Sequence, residues 1–91
     1  VGTEAYFFRT AAGAEIDLLL KLSGRRKAWA IEVKRGLAPK IERGFHLACE
    51  TVRPERRLVV YGGVDRFPLA EGVEAISLIE LCAELSAQWT A

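Results

Sequence analysis

The sequence is poor in the residues that mark several large classes of proteins. Its 91 residues include only two cysteines, Cys49 and Cys82, and no methionine. Two cysteines cannot build a disulfide framework, so we expect both to lie on apolar helix faces as small hydrophobic residues. This cysteine usage is typical of a reducing environment, and we predict a cytoplasmic protein.

Long apolar segments and an excess of one charge are also missing. No apolar run approaches the roughly 20 residues that cross a bilayer, so the sequence predicts no membrane span. The 13 basic and 12 acidic residues leave a formal net charge of +1. Nucleic-acid-binding domains usually carry a strong basic excess, so the overall charge gives no indication of that function.

What the sequence does contain is the composition of a small globular protein. Apolar residues make up 51% of the chain and charged residues 27%. Its length fits one domain, residues 1–91, with one modest core. The chain begins at Val1 rather than methionine. We therefore expect a processed product or a part of a longer protein.

Turn residues and apolar periodicity divide the chain into strands and helices. The pattern predicts strands over 5–9, 15–21, 27–34 and 57–61, a short further strand over 73–76, a helix from Pro39 to about Thr51, and a closing helix after Ser77. The order β-β-β-α-β-(β)-α predicts an α/β fold in which helices flank a mixed sheet.

The closing helix has the clearest boundary signal. Ser77 followed by Glu80 forms a capping box, and Ile76 and Leu81 flank it as a hydrophobic staple. Helical spacing predicts a single docking face made of Leu78, Leu81, Cys82, Leu85 and Trp89.

Charges interrupt two of the otherwise apolar strands. Asp17 lies inside the second strand, and Glu32 and Lys34 lie at the end of the third. Burying an unpaired charge is costly, so these groups need a partner. Because side chains alternate along a strand, Glu32 and Lys34 share one face. Asp17 approaches Glu32 if the two strands are antiparallel neighbours in the right register.

Two candidate partners can neutralise this cluster. A divalent cation such as Mg²⁺ or Mn²⁺ would be held by the carboxylates of Asp17 and Glu32, and the carbonyl of Val33 could add a ligand. Lys34 would then orient water or stabilise charge on a phosphate, as in a metal-dependent phosphodiesterase. Alternatively, Lys34 forms an ordinary ion pair with the two acids. The residues alone leave both interpretations open.

The chain resembles the PD-(D/E)xK superfamily, which has the restriction-endonuclease-like fold. More narrowly, it is similar to the C-terminal domain of unknown function attached to a class of bacterial and archaeal P-loop ATPases of the AAA type. The resemblance covers most of the chain and rests on the segments 6–9 (Tyr-Phe-Phe-Arg), 13–18 (Gly-Ala-Glu-Ile-Asp-Leu), 31–34 (Ile-Glu-Val-Lys), 58–62 (Leu-Val-Val-Tyr-Gly) and the closing helix.

The resemblance implies roles for individual residues. Asp17 and Glu32 would hold the metal ion, and Lys34 would be the catalytic lysine. The sequence departs from the superfamily in one respect, because only four residues precede the first strand, where a helix with a further carboxylate usually lies. The ATPase itself is not visible, since no G-x-x-x-x-G-K-[ST] pattern occurs.

Two functions remain open at this point. The first is a Mg²⁺- or Mn²⁺-dependent nuclease acting on DNA, with Asp17, Glu32 and Lys34 as its catalytic residues. The second is a non-catalytic regulatory module that binds DNA or a protein, and a purely structural or dimerisation domain is a third alternative. An N-terminal ATPase domain would be a partner in the full-length protein. We expect the isolated chain to be inactive or weakly active, since its site lacks the front helix.

Overall fold

The computed structural model describes residues 3–22 and 28–90, and the turn predicted at 23–26 lies outside the described residues. The elements are β1 (Thr3–Arg9), β2 (Glu15–Leu22), β3 (Ala28–Val33), α1 (Arg43–Val52), β4 (Arg56–Tyr61), β5 (Phe67–Ala70), β6 (Val73–Ser77) and α2 (Leu78–Thr90). The prediction of a mixed α/β fold is confirmed.

All six strands belong to one mixed sheet in the order β1-β2-β3-β4-β6-β5. The first three strands form an antiparallel meander. The chain then crosses over through α1, so that β4 pairs parallel with β3, and β6 pairs parallel with β4. The prediction that the second and third strands are antiparallel neighbours is confirmed.

Each face of the sheet has its own apolar core. The core on the α1 face is built from strand residues that alternate with those of the other face, and it includes Ala30, Phe45, Ala48, Cys49 and Val59. The core on the α2 face contains Leu20, Trp29, Ile31, Leu58, Val60, Ile76 and Leu81. The central strands of the sheet are apolar on both sides because helices cover both faces of the sheet.

A β-bulge in β2 interrupts the alternation at one point. Tyr6 pairs with Leu19, but Phe8 pairs with Ile16, so two residues of β2 lie opposite one residue of β1. As a result Ile16 and Leu19, three positions apart, both contact the core on the α1 face. A bulge of this kind redirects side chains, and Asp17 is one of the two residues that lie opposite Phe7.

Glycines set the approach of α1 to the β1–β2 turn. Gly13 has a φ of 95°, which residues with a Cβ rarely adopt, and its backbone N–H donates to the carbonyl of Thr10. A Cβ on Gly44 would collide with the carbonyl oxygen of Gly13. The helix can therefore lie close to β2, the strand that carries Asp17.

One boundary prediction was wrong, and one strand was not predicted. Pro39 does not open the first helix, which begins at Arg43 after Glu42, an extended residue with φ −80° and ψ 149°. The segment between Lys34 and Glu42 is instead a loop in which Gly36 has a φ of 84°. The strand β5 was not predicted, because its four residues include Pro68, which disfavours strand pairing except at an edge.

The predicted docking face of the closing helix is only partly correct. Leu81 is buried and Leu85 packs against the core, but Leu78 is 61% exposed and Cys82 is exposed. The side chain of Trp89 lies outside the described residues. Ser77 does cap the helix, since its Oγ accepts from the N–H of Glu80 at 3.1 Å. The helix therefore contacts the sheet along a narrower stripe than its periodicity predicts.

None of the helices among the described residues is both long enough and apolar enough to span a membrane.

Candidate functional site

The candidate site lies where the meander meets the parallel part of the sheet, at the carboxyl end of β3. The β2–β3 register pairs Leu18 with Ile31 and Leu19 with Ala30. Continued by one residue, that register places Asp17 opposite Glu32. Directly opposite residues of an antiparallel pair share a face, and this face is the one that α1 covers.

Asp17 is an exposed residue whose side chain, rather than its backbone, forms a hydrogen bond from β2 to β3. Its Oδ2 accepts a hydrogen bond from the backbone N–H of Val33 at 2.9 Å. In an extended strand the N–H and the carbonyl of one residue point to the same side. The carbonyl of Val33 therefore faces the side on which Asp17 lies, as a third metal ligand would require.

Glu32 is the buried acid of the site, with only 6% of its surface exposed. Its Oε1 is buried and has no hydrogen-bond partner among the described residues. Burial raises the pKa of Glu32 to about 7, and Asp17 adds to the shift through a hydrogen bond and through its charge, whereas Lys34 opposes it. A buried acceptor without a donor, next to a second carboxylate, is a site that attracts a cation.

Lys34 lies between two carboxylates. Its Nζ is 3.8 Å from Oε2 of Glu32 and 3.3 Å from Oε1 of Glu42. Only the shorter contact, to Glu42, is a hydrogen bond. The backbone fixes this position as well, because the N–H of Lys34 donates to the carbonyl of Val60 in β4 at 2.8 Å.

The side chains of Asp17, Glu32 and Lys34 are thus close together, but the site offers only two carboxylates for a metal ion. In residues 3–22 and 28–90 no group of three or more His, Cys, Asp or Glu side chains is arranged to hold a metal ion. Mg²⁺ usually keeps several waters and binds through one or two carboxylates together with substrate phosphates. Asp17, Glu32 and the carbonyl of Val33 therefore fit Mg²⁺ better than a metal that needs a full protein cage.

A second group of charges lies on the α2 face and is named here the α2 ion network. It consists of Arg56, Arg66, Glu74, Glu80 and Glu84. Arg56 binds Glu84 and lies 3.4 Å from Glu74, while Arg66 contacts Glu74 at 2.8 Å and Glu80 at 3.5 Å. The network ties α2 to β4, to β6 and to the loop before β5.

The pKa values of two acids of this network, Glu74 and Glu84, shift in the opposite direction from that of Glu32. A hydrogen bond from Arg66 lowers the pKa of Glu74. Burial alone would raise the pKa of Glu84, but hydrogen bonds from Arg56 and Arg66 together outweigh it and lower the pKa. The guanidinium of Arg56 also lies 4.7 Å from the ring of Trp29, a cation–π contact. Every carboxylate of this network therefore has a basic partner.

Sequence reasoning missed Glu42 and the α2 ion network. Glu42 is eight residues from Lys34, and no periodicity links a strand end to the cap of the following helix. Arg9 pairs with Glu15, with 2.6 Å between Nη2 and Oε1. Cys49 is buried as predicted, and burial raises the pKa of its thiol to about 11.

Comparison with known proteins places the chain in a family. The family model of a domain of unknown function, DUF4143, matches residues 1–81. The uncharacterized proteins Mb2031c of Mycobacterium bovis and Rv2008c of Mycobacterium tuberculosis are each 39% identical to the chain over 71 residues. Each match covers 78% of this chain but only 16% of the relative, so the chain spans a small part of the length of the curated relatives it matches. No solved structure matches the chain. Because the family model covers most of its residues, the chain belongs to the DUF4143 family of domains of unknown function.

Proposed function

We propose that this domain is a metal-dependent nuclease module that binds Mg²⁺ or Mn²⁺ between Asp17 and Glu32 and hydrolyses phosphodiester bonds in DNA. The observation that carries the proposal is the buried, unpartnered Oε1 of Glu32 beside the carboxylate of Asp17. Two carboxylates that lie opposite each other on neighbouring strands destabilise the fold unless a proton or a cation lies between them.

The arrangement of elements supports the same proposal. The antiparallel meander followed by α1 and the parallel strand β4 is compatible with the restriction-endonuclease-like fold that the sequence resembles. The site lies where the strand direction changes from antiparallel to parallel. Asp17 also lies in the bulge of β2 against β1, and bulges are frequent next to active sites.

Each residue has a separate task in this proposal. Asp17 and Glu32 supply carboxylate oxygens, and Val33 supplies a backbone carbonyl. A bound divalent ion would polarise the phosphate and lower the pKa of a water ligand. Lys34, which is 3.8 Å from Glu32, supplies a positive charge beside the phosphate and stabilises the negative charge that develops during hydrolysis.

A second candidate is a non-catalytic module that binds DNA or a protein. It is favoured because no group of three or more His, Cys, Asp or Glu side chains among the described residues is arranged to hold a metal ion. In both cases we propose that the domain acts within a longer protein alongside a P-loop ATPase domain. The length of the mycobacterial relatives leaves room for such a domain.

Calorimetric titration with Mg²⁺ and Mn²⁺ tests the metal site directly. We expect the wild-type chain to bind one ion, and Asp17→Asn and Glu32→Gln to weaken binding at least 10-fold. Glu50→Gln, an exposed acid on α1, is the matched control and should leave the affinity unchanged. If the wild type binds no divalent ion, the nuclease proposal is wrong and the binding-module candidate is favoured.

Cleavage assays on plasmid, linear and branched DNA separate the two candidates further. They use a full-length protein that contains this domain, because the isolated chain is expected to be weakly active. Lys34→Ala should abolish cleavage, while Lys40→Ala, an exposed lysine of the neighbouring loop, should retain it. Cleavage that survives Lys34→Ala would show that the activity arises elsewhere.

A further inference from the structure

Glu42 takes no part in the proposed metal site, yet it makes the closest contact to Lys34. The Nζ of Lys34 is 3.3 Å from Oε1 of Glu42 and 3.8 Å from Oε2 of Glu32. The side chain of Lys34 is 25% exposed, so the ammonium is partly shielded from water. A partly buried ammonium with two acids in reach pairs with the one that offers the better geometry.

In the part of the chain that the structure describes, the carboxylate of Glu42 makes no ion pair apart from the one with Lys34. Glu42 stands at the N-cap position of α1, but its side chain makes no capping hydrogen bond. The side chain therefore does not hold the helix end. The main contact that its carboxylate makes is the one to Lys34, across the loop that joins β3 to α1.

The position of Lys34 decides how much charge Glu32 can offer to a cation. An ammonium bonded directly to Glu32 would neutralise that carboxylate and compete with a metal ion for it. Held on Glu42, the same ammonium stays 3.8 Å from Oε2 of Glu32, beyond hydrogen-bond distance, while Oε1 of Glu32 has no partner among the described residues. Glu42 thus separates the positive charge of Lys34 from the ligand that needs to stay negative.

We propose that Glu42 is a positioning residue that holds Lys34 away from Glu32, and so keeps Glu32 available for the divalent ion. The functional meaning of this inference rests on the metal site proposed above. The positioning itself is a property of the metal-free domain and can be measured without any activity.

The first measurement uses NMR on the chain without metal. A hydrogen-bond scalar coupling between the ammonium nitrogen of a lysine and a carboxylate carbon identifies which acid the lysine binds. We expect a coupling from Lys34 to Glu42 and none to Glu32. In Glu42→Gln we expect a coupling to Glu32 to appear. A wild-type coupling to Glu32, or to neither acid, overturns the proposal.

The second measurement is a double-mutant cycle on Mn²⁺ affinity. Glu42→Gln should weaken binding about 3- to 10-fold, because Lys34 then neutralises Glu32. In a Lys34→Met background, the same substitution should change the affinity less than about 2-fold. An equal loss in both backgrounds would show that Glu42 acts through its own charge and would overturn the positioning role. Glu50→Gln is the control for a charge change on the same helix.

The two measurements separate this proposal from the proposed function. If no variant binds Mn²⁺, the metal site is wrong, and the NMR couplings still decide whether Glu42 positions Lys34. Because Glu42 makes no capping bond, Glu42→Gln should keep a thermal midpoint within about 2 °C of the wild type. A fall well beyond that range would assign Glu42 a structural role instead.

Discussion

The two charged regions of this domain use the same residue types in opposite ways. In the α2 ion network, Arg56 and Arg66 separate the carboxylates of Glu74, Glu80 and Glu84. In the candidate site two acids lie next to each other, and the nearest ammonium is bound mainly to a third acid outside the pair. In the α2 ion network each acid is paired with an arginine, whereas in the candidate site two acids face each other without a base between them.

The difference shows where a function is to be expected. Charges that satisfy one another stabilise the fold and leave nothing to bind. Charges that repel one another lower the stability of the fold, and they persist where a ligand or a reaction needs them. The pKa shifts express this contrast, since Glu74 and Glu84 are shifted down and Glu32 is shifted up.

The largest effect is expected from an apolar contact that anchors α2. Leu81 is buried against the core of the α2 face, so Leu81→Ala should lower the free energy of unfolding by about 2–5 kcal/mol. Chemical denaturation measures this loss. If Arg56→Met costs more than Leu81→Ala, then the ion network, and not the apolar stripe, anchors the helix.

The next effect tests the repulsion inside the candidate site. The pKa of Glu32 is raised from 4.5 to about 7, so the folded state binds its proton more tightly than the unfolded state. Its stabilising contribution is complete below about pH 4.5 and is lost as the pH rises through 7. We expect Glu32→Gln to raise the free energy of unfolding at pH 8 by up to about 3.5 kcal/mol, at about 1.4 kcal/mol for each pKa unit.

The measurement is chemical denaturation at a series of pH values between 5 and 8, in a metal-free buffer. The wild type should lose stability over this interval, and Glu32→Gln should lose much less. Glu50→Gln, on the exposed face of α1, should follow the wild type. If Glu32→Gln loses as much stability between pH 5 and pH 8 as the wild type, then the pKa of Glu32 is not raised by the fold.

A smaller effect with the opposite pH dependence is expected from the α2 ion network. Arg56→Met should lower the free energy of unfolding by about 1–2 kcal/mol at pH 7, because Glu74 and Glu84 lose a half-buried partner. The pKa values of these two acids are lowered, so their contribution is present above about pH 4.5 and is lost as the pH falls. The cost should therefore shrink towards pH 3, as denaturation at both pH values would show.

The smallest effect is expected where a complementary pair is exposed. Arg9 binds Glu15 at 2.6 Å, and its side chain is 61% exposed. Arg9→Met should change the free energy of unfolding by less than about 0.5 kcal/mol, and the change should decrease in 1 M salt. A cost as large as that of Arg56→Met would mean that charge pairing stabilises this domain regardless of burial.

Much of the fold could be predicted because local signals agree with the global structure. Local sequence alone predicts three features of the fold: the aromatic first strand, the apolar runs of β3 and β4, and the helix cap at Ser77. β5 and the outer face of α2 could not be predicted in the same way. Ile79 and Leu78 are apolar but 81% and 61% exposed, and periodicity cannot tell which side of a helix the sheet will cover.

For the candidate site, the sequence could predict residue types but not contacts. Asp17, Glu32 and Lys34 were recognisable as charges in apolar strands. The contact between Lys34 and Glu42 depends on the path of the loop after β3, which follows from the positive φ of Gly36 and from its carbonyl accepting the N–H of Gly62 at 2.8 Å. Such a path is set by tertiary structure, and no spacing rule describes it.

The bulge in β2 makes the site depend on the number of residues as well as on their identity. Without Leu18, simple alternation would still direct Ile16 and Leu19 to the α1 face and would turn Asp17 to the other face, away from Glu32. A one-residue deletion would thus keep Ile16 and Leu19 in the core of the α1 face, but it would take Leu18 from the core of the α2 face and remove Asp17 from the candidate site. Within the family, members that share the fold and the aspartate but lack the extra residue should have lost the ligand, so strand length becomes a marker of which members retain the site.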